Sequence, residues 1–195
     1  MPSTRTIHVE AQRLPGWLER FEAAQGPLEI QPGQDGLLVE AASGARAELL
    51  PPWPADGRPG RGADDVERLV SLAGQARTLG LLLVRRGGYA AGVCREGRLL
   101  GSKTGSGNAR RASAPAALAG TAAVEAARLF AAFGPEYLVP GGDRTLAGQA
   151  AARKELAPWA GLARLRPLDV ADPTAAVLAQ AARDAAAVLV RITVP

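Results

Sequence analysis

Residues 81–103 read LLLVRRGGYAAGVCREGRLLGSK, and this stretch decides the fold class. It holds three runs typical of β-strands, at residues 81–86, 89–94 and 98–103. Gly87 and Gly88 allow a tight turn after the first run, and Glu96-Gly97 closes a hairpin after the second. The sequence therefore predicts a meander of three consecutive strands.

Helix and strand patterns alternate after the meander. We predict helices at residues 113–133, 145–156 and 173–186, with strands at 137–139, 162–165 and 188–194. Strands that are separated by helices imply parallel crossovers. The predicted fold class is therefore α/β (α+β mixed), with a mixed β-sheet that carries helices packed on its faces.

The residues before the meander predict a smaller unit. A strand at 5–10, a helix at 14–25 and strands at 28–30, 37–41 and 45–50 form a β-α-β-β unit over residues 1–50. Residues 51–62 are rich in proline and glycine, which predicts a linker or a long surface loop. A core domain then spans residues 63–195, and its first helix starts at Asp64 or Asp65 and ends near Gly80.

The basic residues are unevenly distributed. The net charge is +4 over 195 residues, yet eight basic residues and one acid between Arg77 and Arg111 give that stretch a balance of +7. The rest of the chain is then at −3. Because phosphate backbones are the commonest target of such a field, we expect an arginine-rich face for nucleic acid there; a solvated charged face is the simpler alternative.

Other classes of site find little support in the sequence. His8 and Cys94 are the only residues of their types, so no His/Cys metal site is expected, and no cofactor is predicted. Cys94 lies on an apolar strand and is interpreted as a core residue. We expect a cytoplasmic protein, since a lone cysteine and no leader segment argue against secretion. We expect no membrane span either, because no apolar run reaches the roughly 20 residues that span a bilayer.

One loop is the strongest candidate for contact with RNA. Gly105, Ser106, Gly107 and Asn108 follow the third strand and offer no apolar anchor, so their backbone is free to approach a phosphate. Basic residues lie on both sides of the loop. The predicted RNA-binding residues are Arg85, Arg86, Lys103, Arg110 and Arg111. Asp143, after Gly141-Gly142, is interpreted as the cap of the next helix.

Five segments resemble a known family over nearly the whole chain. They are RLPGWLERF at 13–21, LLVRRGGYAAGV at 82–93, GSKTGS at 101–106, RRA at 110–112 and GGDR at 141–144. They are similar to the bacterial release-factor-like peptidyl-tRNA hydrolases (VLRF), which are related to the central domain of eukaryotic peptide release factors. The resemblance implies a release-factor-like core and hydrolysis of peptidyl-tRNA on stalled ribosomes, in termination or rescue, with tRNA and the large ribosomal subunit as partners.

The chain departs from that family at its catalytic loop. The family places a Gly-containing motif with a glutamine in a long loop after the third strand, whereas no glutamine lies between Gln75 and Gln149 here. Three explanations are open: a natural member that binds without cleaving, a chain whose loop was cut and bridged by residues 105–107, or a relocated catalytic group. No catalytic residue is identifiable in the truncated loop. One alternative to a hydrolase is a non-catalytic module that binds tRNA, rRNA or the ribosome. The other is an unrelated metabolic α/β enzyme, which would need a closed apolar pocket.

Overall fold

A computed structural model describes residues 3–106 and 115–195 of the chain. They form two compact units, one of residues Met1–Gln75 with Ala186–Pro195 and one of Ala76–Ala185. Each unit has its own five-stranded sheet. The mixed α/β class is confirmed.

The first unit is an antiparallel sheet with helices on one face. Its elements are β1 (Ser3–Val9), α1 (Leu14–Gln25), β2 (Leu28–Pro32), β3 (Leu37–Ala41), β4 (Arg46–Leu50), α2 (Asp65–Ala73) and β10 (Val188–Val194). The strand order is β1-β10-β4-β3-β2. Every second residue of β3, β4 and β10 is buried with Leu14 and Leu18 of α1 and Leu69 of α2, as expected of a sheet with one covered face.

The unit that contains the last strand differs from the predicted one. The strand at residues 188–194, predicted within the core domain, pairs with β1 and β4 in the first sheet. Residues 51–62, predicted as a linker or a long surface loop, contain no helix or strand, and the segment is held against α2, because Trp53 is 2% exposed and its indole Nε1 donates to Leu72 O at 2.9 Å. The compact units therefore divide at residue 76 and again at residue 186.

The second unit contains the predicted meander. Its elements are β5 (Thr78–Arg85), β6 (Gly88–Arg95), β7 (Arg98–Ser106), α3 (Pro115–Phe133), β8 (Tyr137–Gly142), α4 (Arg144–Ala151), a 3-10 turn (Lys154–Trp159), β9 (Ala163–Arg164) and α5 (Ala175–Ala185). The strand order is β7-β6-β5-β8-β9. Positive φ angles at Glu96 (51°) and Gly97 (72°) build the hairpin turn that the sequence predicts.

The predicted parallel crossovers are confirmed in part. β8 runs parallel to β5, and β9 runs parallel to β8, whereas β10 leaves this sheet and pairs antiparallel in the other. The helix predicted to end near Gly80 ends at Ala73, and β5 already begins at Thr78. A strand can include Gly80 there because the missing side chain makes room for Phe130.

Helices cover both faces of the second sheet. Leu82 and Val84 of β5 pack with Ala122 and Phe130 of α3, while α5 packs on the opposite face, where Leu178 lies against Gly92. This explains why seven consecutive residues of β5 are buried. Residues 116–133 of α3 are long and apolar enough to cross a membrane by length and composition, and a third of them, four alanines among them, are buried inside the structure.

Candidate nucleic-acid interface

The first arginine of the predicted basic stretch is not on the surface. Arg77 is 1% exposed, its guanidinium carbon lies 5.8 Å from the centroid of the Tyr137 ring, and its Nη1 donates to the Tyr137 hydroxyl at 3.1 Å. Arg77 therefore stabilises the interior of the second unit, and the prediction that it belongs to a face for nucleic acid is wrong.

The exposed arginines of the same stretch lie at two ends of the sheet. Arg85 is in register with Gly88, where β5 ends, and Thr78 is in register with Arg95 at the other end. Arg98 is in register with Arg95 and shares that end. Seven residues of strand separate the two rows, a distance of about 23 Å. The described arginines of β5, β6 and β7 therefore form two groups, one at each end of the sheet.

The group at the carboxyl end of β5 adjoins the candidate loop. Arg85 is half-buried and Arg86 is exposed. Gly88 is in register with Arg85 on one side and with Ser106 on the other. Ser106, the last residue of β7, thus lies two strands from Arg85, about 10 Å away. The chain therefore leaves the sheet after Ser106, at the same end of the sheet as Arg85.

The other predicted site residues have different positions. The prediction that Gly105 and Ser106 belong to a loop without an apolar anchor is wrong, because both are part of β7 and Gly105 packs closely against the Tyr89 ring. Lys103 is exposed on the edge strand β7, in register with Ala91. Gly107, Asn108, Arg110 and Arg111 lie outside the described residues, so the structure brings together only Arg85, Arg86 and the start of the loop.

The segment after β8 reaches the same end of the sheet. Gly142 has a φ of 82°, and a Cβ atom there would lie 2.9 Å from Cγ of Arg85, so the arginine side chain packs against this glycine. Asp143 Oδ1 accepts hydrogen bonds from the backbone N–H groups of Thr145 (2.9 Å) and Leu146 (3.0 Å). The interpretation of Asp143 as a helix cap is therefore confirmed.

A cavity of about 180 Å³ lies beside this segment. Small or apolar residues of β8 and α4 form most of its wall, and two arginines complete it. The lining residues are Leu138, Pro140, Gly141, Gly142, Arg144, Ala147, Gly148, Ala151, Arg164 and Pro167. Sequence reasoning missed this cavity, because Arg164 belongs to no motif and only the fold brings it to Arg144.

The titratable groups of the second unit offer little for acid–base or nucleophilic catalysis. Burial raises the pKa of the Cys94 thiol to about 12, so the thiolate that would attack is scarce at neutral pH. Burial, and then the charge of Glu125, raise the pKa of Tyr89. The cavity wall contains neither an acid nor a histidine. Within residues 3–106 and 115–195 no group of three or more His, Cys, Asp or Glu is placed to hold a metal.

A carboxylate lies close to the basic group as well. The Asp172 carboxylate is 3.3 Å from the position that a Cβ atom on Gly87 would occupy, which places it at the turn next to Arg86. The electrostatic potential at this turn is therefore mixed, whereas the Arg85 side chain packs against Gly142.

Comparison with protein families gives a specific match for the second half of the chain. Residues 108–191 match the family described as Actinobacteria/chloroflexi VLRF1 release factor, a range somewhat under half of the 195 residues. This match supports a VLRF-like release-factor family. The VLRF-like range runs from the loop through α3, β8, α4, β9 and α5 into β10. A search of curated proteins gave no match.

The VLRF-like assignment supports a release-factor-like role in translation, and in general terms a ribosomal partner. The match includes the residues from 108 onward that follow β7, and it includes Asp143 and Arg144 at the start of α4. The matched range excludes the meander. The arginines of β5 therefore lie outside it, and only the fold brings them to this site.

Proposed function

We propose that this chain is a release-factor-like peptidyl-tRNA hydrolase that acts on peptidyl-tRNA of stalled ribosomes in the cytoplasm, with tRNA and the large ribosomal subunit as partners. The observation that carries the proposal is the row formed by Arg85, Gly88 and Ser106. It supplies cationic groups about 10 Å from the point where the family's catalytic loop leaves the sheet. Guanidinium groups there would hold the phosphates of the tRNA acceptor end while the loop meets the ester.

The reaction requires water to be positioned more than it requires a strong base. Water adds to the ester carbonyl, the bond to the ribose oxygen breaks, and the peptide acid and the tRNA hydroxyl are released. A donor or acceptor that orients the water supplies much of the rate. In this chain Asn108 is the only side-chain amide between Gln75 and Gln149, and it is one methylene shorter than glutamine. We therefore expect release about 10²–10³ slower than with a glutamine loop.

A second function follows from the same loop. The lack of a glutamine in it favours a non-catalytic module that binds tRNA, rRNA or the ribosome. The two proposals agree on binding and differ on ester cleavage. Measuring both quantities on one substrate separates them.

The experiment uses large subunits that carry labelled peptidyl-tRNA. Binding is measured by co-sedimentation and release by loss of label from tRNA. Replacing Arg85 and Arg86 by alanine is expected to weaken binding about tenfold, since charge-assisted contacts are lost. The matched control replaces Arg95 and Arg98, also exposed but at the other end of the sheet, and should bind within about twofold of the unaltered chain.

The outcomes have distinct meanings. Slow release that falls further in Asn108→Ala supports the hydrolase. Binding without release above background contradicts it and supports the non-catalytic module. Equal binding by the two double variants would remove the role of Arg85 and Arg86, and no binding at low salt would contradict both proposals.

A further inference from the structure

We propose that the cavity between β8, α4 and residues 164–167 binds one unpaired nucleotide of single-stranded RNA. The base would lie on the apolar wall and the phosphate between Arg144 and Arg164. This inference goes beyond the proposed function, because it concerns a cavity outside the loop after β7, although Arg85 borders both, and it is independent of whether an ester is cleaved.

The shape of the cavity suits a flat ring. Its volume of about 180 Å³ accommodates a base while the sugar and phosphate stay at the rim. Pro140, Ala147 and Ala151 supply apolar surface. Gly148 carries no side chain and a Cβ atom there would meet nothing within 4 Å, so a planar group can approach the backbone closely at this position.

The two arginines supply free positive charge at this cavity. Arg144 begins α4 and Arg164 ends β9, and both are exposed. Neither forms an ion pair with a carboxylate in the part of the chain that the structure describes. Asp143, the nearest acid in sequence to Arg144, is occupied by the N–H groups of Thr145 and Leu146. Guanidinium forks of this kind match phosphate oxygens.

The combination of wall and charge selects a nucleotide over simpler ligands. Inorganic phosphate would leave the apolar majority of the wall in contact with water, and an uncharged apolar ligand would leave both guanidinium groups without a partner. A nucleotide satisfies both parts. Arg85 packs on Gly142, which lines the cavity, so a cation is available for the next phosphate of a chain. We therefore expect an oligonucleotide to bind more tightly than a mononucleotide, and with a steeper dependence on salt.

Gly148 allows a test that does not depend on damage to the fold. A Cβ atom added at Gly148 meets nothing within 4 Å, so this lining position tolerates a side chain and Gly148→Leu places an isobutyl group at the cavity wall. Replacing a mid-helix glycine should also raise the melting temperature. The matched control is Gln149→Leu, which adds the same side chain to the same helix at an exposed position outside the cavity wall.

The experiment measures binding of a fluorescent five-nucleotide RNA to the full chain by anisotropy at low and at moderate salt. We expect at least tenfold weaker binding in Gly148→Leu and in the double variant Arg144→Ala with Arg164→Ala, and less than a twofold change in Gln149→Leu. Unlabelled AMP and CMP should compete weakly, and inorganic phosphate more weakly still.

Several results would overturn the inference. Unchanged binding in a folded Gly148→Leu would place the RNA elsewhere, and competition by phosphate as strong as by AMP would identify an anion site without base recognition. Mononucleotide binding as tight as RNA binding would identify a free nucleotide as the ligand. Because no ribosome or ester is present, a chain that fails to release peptide can still pass this test.

Discussion

At the scale of single residues, Arg77 shows how a charge can belong to the core. Its guanidinium packs on Tyr137 and donates to the Tyr137 hydroxyl. We predict that Arg77→Ala lowers the free energy of unfolding by about 2–4 kcal/mol, because a buried hydrogen bond and packing are lost. Urea denaturation measures the change. Arg95→Ala, an exposed position at the same end of the sheet, should cost at most about 0.5 kcal/mol; equal losses would contradict the structural role.

The Cys94 thiol gives a pH-dependent prediction. Burial raises its pKa from 9.0 to about 12, so folding favours the neutral thiol. The stability that this shift contributes is complete below pH 9.0, the ordinary pKa, and is lost as the pH rises toward about 12. We predict that iodoacetamide leaves the folded chain unmodified at pH 8 and alkylates it once denaturant is added. Rapid stoichiometric alkylation without denaturant would show that the thiol is accessible.

The sequence predicted some residue roles and missed others for physical reasons. The helix cap at Asp143 and the core position of Cys94 follow from local patterns, and the structure confirms both. The burial of Arg77 depends on Tyr137, 60 positions along the chain, so no local pattern reveals it. The cavity arginines depend likewise on the pairing of β8 with β9.

At the scale of elements, the contact between β5 and α3 depends on Gly80. A Cβ atom at this position would lie 2.6 Å from the ring of buried Phe130. We predict that Gly80→Ala destabilises the second unit by about 1–3 kcal/mol, since the ring must move within a packed core. Gly148→Ala, where a Cβ atom meets nothing, should instead stabilise α4 by about 0.5–1 kcal/mol. Thermal unfolding compares the two, and the same sign of change in both would contradict the packing argument.

Most elements could be predicted from sequence, but not all of their partners. Alternating apolar residues identified a strand at residues 188–194, and the structure has β10 over the same residues. The alternation of apolar and polar residues shows which side of a strand is buried, but it does not show with which sheet the strand pairs. The hairpin at Glu96-Gly97 was predictable with its partner because the turn alone fixes the pairing of β6 with β7.

At the scale of the whole molecule, the two units should be separable. Residues 76–185 contain all five strands of the second sheet and the three helices packed on it. We predict that this fragment folds alone, with cooperative thermal unfolding and dispersed NMR amide signals. Removing residues 186–195 from the full chain should unfold only the first unit, because β10 lies between β1 and β4. A fragment 76–185 without a cooperative transition would contradict this division.

The position of β10 also governs the order in which the chain acquires structure during its own synthesis. Residues 3–50 leave the ribosome early, yet β1 has no hydrogen-bonded neighbour until residues 188–194 are made. At 5–20 residues per second this delay is on the order of 10 s. The later-made unit can complete its core first, while the N-terminal strands wait with an open edge that a chaperone or another nascent chain could engage.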